Sequence, residues 1–373
     1  MFFPLLPSMI GAERKGTEGM KKFAVFGGFL GSGKTTTMMA LTRYYTEHYG
    51  KAAMISNDLG EGVTLADHRY AALSGCNASE ITDECICFCN ELLAERLNAF
   101  YDDGCELVIS DIPGFGVGAL EHVYFGLTEK FPGQYELAPF TALTEPENVA
   151  LLRAAPDSDR AVICHNQLLE AELIVLNKCD LLDVETCEET LNWLREHYPQ
   201  ARVLAISAKR GDGLGALALA MRDGQAALLH PDIDYDADPL QNALGRLCEY
   251  YLQYRAAVCC NDFDGTAYLK DLAERIRDAV CAAGFEIPHM KLLAWTPEGD
   301  FGKVDLLGIG RPVEISRGFE KPCTELAVIL NTSAAIPFRL LDELADEAVK
   351  TVSDRYRLEL MIFKKEGFDL GEE

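Results

Sequence analysis

The 373-residue chain is short of positive charge: 34 lysines and arginines stand against 59 acidic residues, a formal charge of -25. A surface that negative repels nucleic-acid phosphates and anionic lipids, so neither is expected as a main partner. A small anion is not excluded, because a nest of backbone N–H groups holds phosphate even in an acidic protein. No run of 18 apolar residues occurs, so no membrane span is expected. Histidine-rich tails, internal repeats and low-complexity tracts are also missing. The first stretch places apolar residues ahead of Glu13, Arg14, Lys15 and Glu18, the reverse of a secretory signal. Residues 1–20 are therefore expected to form a flexible tail, and the compartment is expected to be cytoplasmic. The 13 cysteines are too few for a disulfide scaffold and stand as thiols or metal ligands. What remains is globular, with 49% apolar and 25% charged residues, and long enough for one large or two ordinary domains.

Strand-like runs at 22–26, 52–55, 105–110, 172–176 and 202–206 alternate with helical stretches at 34–49, 145–170, 187–197 and 213–221. That alternation predicts an α/β fold, a mostly parallel sheet covered on both faces. The acidic run His230-Pro-Asp-Ile-Asp-Tyr-Asp-Ala-Asp-Pro239 reads as a linker, dividing a domain over 21–229 from a smaller α/β domain over 240–373. In the latter, 240–256 reads as helix and 257–260 as extended. An amphipathic helix follows over 265–283, where Leu269, Leu272, Ala273, Ile276, Ala279 and Val280 share a face. Strands are expected at 290–295, 304–309, 326–330 and 358–363, with a helix over 338–352.

Gly28-Phe-Leu-Gly31-Ser32-Gly33-Lys34-Thr35 fits G-x-x-x-x-G-K-[ST] between a strand and a helix. Side chains at the glycines would block the N–H groups that wrap phosphates, and the 34–49 helix adds its positive dipole end. Lys34 is expected to reach the outer phosphates, with Thr36 behind it, and the Thr35 hydroxyl to hold Mg2+. Asp111 ends an extended apolar run in Asp111-Ile-Pro-Gly114, where a carboxylate binds Mg2+ through water and the Gly114 amide senses a γ-phosphate. Asn57-Asp58-Leu-Gly60-Glu61 ends the second strand at the same sheet edge, so Asp58 or Glu61 is expected to complete the Mg2+ shell or position water. Asn177-Lys178-Cys-Asp180 sets the base. A carboxylate at Asp180 accepts from guanine N1–H and its exocyclic amine, whereas adenine presents an acceptor. Lys178 lies along the base, and Ser207-Ala208 supports it through the backbone. GTP is thus expected rather than ATP.

Cys85-Ile-Cys87-Phe-Cys89 places three thiols within five residues. In an extended stretch alternate side chains point the same way, so the three would converge on a soft divalent ion after a slight bend. Thiolates favour Zn2+, with Co2+, Ni2+ or Cu+ also accepted. Cys76, His68, a water or a cysteine from a second copy would complete the site, the last giving a homodimer. The competing reading is a row of small buried residues, which also fits Cys105, Cys164 and Cys179. His289 could add a ligand from the second domain, but a lone histidine is more often structural, and Cys259-Cys260 stands likewise.

These motifs resemble the metal-handling GTPases that include CobW-type proteins and the urease and hydrogenase nickel-insertion GTPases, most closely the CobW-type branch. The resemblance covers about 22–220. Gly28 through Thr36 matches the family loop Gly-Phe-Leu-Gly-x-Gly-Lys-Thr-Thr, residues 57–61 its Asn-Glu-Phe-Gly-Glu stretch, and 177–180 its Asn-Lys-x-Asp. The family Cys-x-Cys-Cys motif corresponds to Cys85-Ile-Cys87-Phe88, with Phe88 in place of the last cysteine and Cys89 one residue later. Asp111 stands where the family usually has glutamate. The resemblance implies a slow, partner-stimulated GTPase that delivers a metal to a client metalloenzyme, or supports activation of a metal or corrinoid protein. The main expectation is a metallochaperone whose nucleotide state is coupled to the cysteine metal site. The alternative is a GTPase that loads or reactivates a cofactor enzyme without carrying a transferable metal. A small-molecule kinase would leave residues 177–180 without a role.

Overall fold

The computed structural model describes residues 21–61, 65–258, 261–308 and 310–371. The expected tail and Cys259-Cys260 lie outside the described residues. The first sheet is built from β1 (Lys22–Gly27), β2 (Ala52–Asn57), β3 (Ala78–Ile81), β4 (Leu107–Asp111), β5 (Glu136–Leu137), β6 (Thr141–Thr144), β7 (Leu173–Leu176) and β8 (Arg202–Ala205). Its order is β3-β2-β4-β1-β6-β7-β8, with β5 also on β1, and every pairing is parallel. The connecting helices are α1 (Lys34–His48), α2 (Ala66–Leu73), α3 (Asn90–Asp102), α4 (Gly126–Lys130), α5 (Pro146–Ala154), α6 (Asp159–Leu169), α7 (Val184–His197) and α8 (Leu214–Asp223). β1 and β2 are buried along their whole length, because helices cover both faces and a parallel strand there must be apolar on both sides. Phe23, Val25, Ala53 and Ile55 face one layer, Ala24, Phe26, Ala52 and Met54 the other.

After α9 (Asp238–Leu244), the second sheet contains β9 (Cys248–Val258), β10 (Glu286–Trp295), β11 (Phe301–Leu306), β12 (Glu314–Arg317), β13 (Glu325–Ala335) and β14 (Leu358–Asp369). It is antiparallel, in the order β12-β11-β10-β13-β9-β14. Two helices, α10 (Gly265–Ala282) and α11 (Phe338–Tyr356), cover one face. The helix expected over 240–256 is a correction: only 238–244 is helical, and 248–258 is a central strand. Tyr250, Tyr251, Tyr254 and Leu252 favour a pleated surface, and because residues 248–252 are buried without a break the first half of the strand lacks the alternation that marks a strand, which is left to Leu252 through Ala256.

Period-two alternation decides what the second sheet offers the first domain. On β10, Met290, Leu292 and Ala294 point into the helix layer, while Leu293 joins Ala66, Phe301 and Ile329 in a cluster facing α2. His289 and Lys291 share Leu293's face. Among the described residues no helix is long and apolar enough to cross a membrane.

Candidate nucleotide site between the two sheets

A cavity of about 600 Å3 lies between the carboxyl ends of the parallel strands and the uncovered face of the second sheet. The first sheet contributes Gly31, Gly33, Lys34, Thr35 and Thr36 from the loop after β1, then Asp58, Asp111, Gly114, Asn177, Lys178, Asp180, Ser207 and Ala208. A crevice beyond the carboxyl ends of parallel strands is where such folds bind ligands.

The loop after β1 depends on glycine. Gly28 has φ 124°, and a Cβ there would lie 2.2 Å from the Leu143 carbonyl oxygen. Gly33, which precedes α1, has φ 92°, and its Cβ would lie 2.3 Å from Asn177 Nδ2. Lys34 Nζ donates to the Gly28 carbonyl at 2.6 Å, and burial pulls its pKa down to about 8. Ser32 is buried, and its hydroxyl finds no partner among the described residues.

Asn177 ties the base end together. Its Nδ2 donates to the Ser32 carbonyl at 3.0 Å, and its Oδ1 accepts from the Ala208 N–H at 3.0 Å. Lys178 Nζ donates to the Gly31 carbonyl at 2.7 Å and to Glu145 Oε2 at 2.5 Å. Glu145, only 3% exposed, also pairs with Arg160 at 3.4 Å and with Arg311 of the second domain at 3.5 Å. The expected base residues thus converge. No motif marks Glu145, which follows the unexpected strand β6, nor Arg160 and Arg311, which meet it only across 15 and 166 residues.

At the other end, Asp111 accepts from the Asn57 backbone N–H at 3.0 Å, and burial pushes its carboxyl up to about 7. Burial likewise raises Asp58, against the pull of the Tyr251 hydroxyl, which donates to it at 2.7 Å from β9. Gly114 packs on Leu30, leaving no room for a Cβ. Asp67, which no motif marked, bonds the Thr35 hydroxyl and pairs with Lys291 on β10. Thr35, Asp58 and Asp111 all line the cavity as hard oxygen donors, Asp111 buried and Asp58 half-buried, and a cation between them would offset the desolvation that raises both carboxyls. That donor set fits Mg2+. Glu61 is a correction: it is exposed, does not line the cavity, and its backbone N–H donates to Glu366 of β14 at 3.2 Å. The chain there already leads toward the second sheet.

The cysteine segment also departs from expectation. Residues 85–88 form a turn, closed by the Phe88 N–H donating to the Cys85 carbonyl at 2.9 Å, so the segment is not the extended stretch that would line up all three thiols. Cys85 and Cys87 are hydrogen-bonded to each other, which lowers Cys85 and raises Cys87. Cys89 instead donates to the Cys85 carbonyl at 3.4 Å, with burial pushing its thiol up to about 11. Cys76 packs on the opposite face of the sheet, and His68 pairs with Glu80 at 3.3 Å. Among the described residues no group of three or more His, Cys, Asp or Glu side chains is disposed to hold a metal ion. The three thiols do not fit a transition metal by themselves.

Asn57 links this turn to the phosphate end. Its Nδ2 donates to the Ile81 carbonyl at 3.1 Å and the Glu84 carbonyl at 2.9 Å, while its Oδ1 accepts from the Ile86 N–H at 3.0 Å. Cys85 is therefore bracketed by a side chain whose own backbone holds Asp111.

Residues 22–205 match the family model described as CobW/HypB/UreG, nucleotide-binding domain. Through this domain the chain belongs to the CobW/HypB/UreG family. It is a family of metal-trafficking P-loop GTPases, and the first domain is accordingly a GTPase domain. Among solved structures, HypB from Helicobacter pylori in complex with nickel is 17% identical, covering 56% of this chain and 91% of that one with a TM-score of 0.39. HypB from Archaeoglobus fulgidus is 20% identical over 55% and 90%, at 0.36. Zn(II)-bound YjiA GTPase from E. coli is 12% identical over 87% and 98%, at 0.37. No curated protein matches the chain.

Proposed function

We propose that the protein binds GTP with Mg2+ and hydrolyses it to load or reactivate a metal- or corrinoid-dependent client enzyme, without itself carrying a transferable metal on its cysteines. Family membership supports the general role. The observation that carries the finer reading is the double engagement of Asn57, backbone to Asp111 and side chain to the turn around Cys85. Any movement of Asp111 in response to the outer phosphates is transmitted to the turn by one residue. Asp58, the next residue, is held by Tyr251, so the same strand end reports to the second domain.

Thr35, Asp58 and Asp111 would hold Mg2+, which neutralises phosphate charge when bound. The loop backbone and Lys34 bind and orient the phosphates. Asp180 selects guanine, with Lys178 and the Ser207-Ala208 backbone at the base. Clamped by Asn57 and only 8–9% exposed, the thiols act as a nucleotide-sensing element that alters the surface offered to the client.

Titrating reduced protein with Zn2+, Co2+ and Ni2+, with and without GTP, tests this reading. Retention below one metal per chain in both states is expected. Stoichiometric retention that Cys87→Ala removes would restore a metal-carrying role to the turn.

A further inference from the structure

We infer that Lys291 is the cation by which the second domain enters the GTP reaction, an intramolecular counterpart of an arginine finger. The inference rests on the GTPase reading above and deepens it. Lys291 stands on β10, a strand paired on both sides by β11 and β13, so its backbone is held by neighbouring strands on either side. Alternation along that strand sends its side chain away from the helix layer and into the cavity with Lys34 and Asp111. Its ammonium pairs with Asp67, whose carboxylate bonds the Thr35 hydroxyl. It therefore lies at the phosphate end, two side chains from the residue placed to hold Mg2+.

The other cations that the second domain brings to the cavity are committed elsewhere. Lys303 donates to both oxygens of Asp305 at 2.6 Å within its own sheet. Arg311 is bound to Glu145 and Glu147 at the base end. Among the described residues of the second domain, Lys291 alone of these cavity cations has its partner on the phosphate side, at the first turn of α2. That helix is itself docked on the second sheet: the Ala66 N–H donates to Asn331 Oδ1 at 2.9 Å, and Arg69 lies 4.6 Å from the centre of the Trp295 ring.

Hydrolysis gives such a cation work. Water adds to the γ-phosphorus, the bond to the β–γ bridging oxygen breaks, its electron pair goes to the β-phosphate of GDP, and the water's two protons leave with the released phosphate, which exchanges them with solvent. Negative charge spreads over the outer phosphates as this happens, and a preorganised ammonium stabilises it more than it stabilises bound GDP. Asp67 is the positioning residue that keeps Lys291 at the site until phosphate oxygens compete for it. The sequence reading left this role to a partner; here it belongs to the same chain.

Single-turnover GTP hydrolysis, GDP binding, GDP–aluminium fluoride trapping and thermal melting of Lys291→Met, Lys291→Arg and Asp67→Asn test the inference. Arginine fingers are worth about 10³–10⁵ in rate, so Lys291→Met should hydrolyse GTP at least ~100-fold more slowly, lose trapping, and bind GDP within about threefold of the wild-type protein. Lys291→Arg should keep most of the rate. If Lys291 only fastens α2 to the second sheet, Lys291→Met and Asp67→Asn will lower the melting temperature alike and leave hydrolysis and trapping unchanged, which overturns the inference. Absence of hydrolysis in the wild-type protein would overturn the GTPase reading and this inference together; wild-type hydrolysis that Lys291→Met matches overturns the inference alone.

Discussion

Replacing Asn57 by alanine cuts the side-chain half of the link between phosphate end and cysteine turn and spares the backbone half. The Asn57 N–H still reaches Asp111, so GTP binding should survive. Three hydrogen bonds are lost, to the carbonyls of residues 81 and 84 and from the N–H of residue 86. At about 1 kcal/mol net for each, the turn loses roughly 3 kcal/mol of local stability, less than the 5–15 kcal/mol that holds a typical domain folded. Local opening of the turn should become more frequent by about two orders of magnitude. Cys85, Cys87 and Cys89 are nearly inaccessible when the turn is closed, so their alkylation reports that opening. Mass-spectrometric labelling with iodoacetamide should run about 100-fold faster in the variant, and GTP should no longer alter it. Labelling that stays at the wild-type rate, or GTP affinity that collapses along with the turn, would refute the division of labour between the two halves of Asn57.

Other perturbations have equally specific outcomes. Lys34→Ala should abolish GTP binding in calorimetry, whereas Cys87→Ala should leave it intact. Gly33→Ala forces a Cβ into Asn177 at a positive φ and should lose nucleotide binding while the melting curve of the second domain persists. Glu170, whose Oε2 accepts from the Gly118 N–H at 3.0 Å, is pushed by burial from 4.5 up to about 8. The folded state therefore binds the extra proton between those values, and stability falls as pH rises through that window. Glu170→Gln keeps an acceptor without the charge, so its melting temperature should drop less than the wild-type value between pH 6 and 9; parallel curves would contradict this.

The phosphate loop, Asp111 and the Asn177–Asp180 motif were legible because each is local: a few residues fixed by a strand end and a turn. The alternation of strands and helices likewise exposed most of the first sheet. β3 (Ala-Ser-Glu-Ile) and β6 (Thr-Ala-Leu-Thr) escaped because, unlike the equally short β7 (Leu-Ile-Val-Leu), they are rich in small and polar residues. β9 was misread because residues 248–252 are buried without a break, which confines its alternation to the five residues from Leu252 to Ala256. The second domain's share in the site was invisible for a different reason. Tyr251 meets Asp58 across 193 residues and Lys291 meets Asp67 across 224, and each looks like an ordinary strand or helix residue in its own neighbourhood. The cysteines show the opposite failure, a suggestive spacing whose geometry is set by a turn that the spacing does not encode.

Hydrogen exchange read peptide by peptide, with Mg2+ and a non-hydrolysable GTP analogue against the matching ATP analogue, puts the most direct question to this protein. Slower exchange is expected with the guanine nucleotide in residues 28–36, in 57–61, in the turn at 84–89 and on β10 at 286–295, with the adenine nucleotide changing none of them. Protection confined to the phosphate loop, or equal for both nucleotides, would contradict the coupling of guanine nucleotide to the thiol turn and the second sheet.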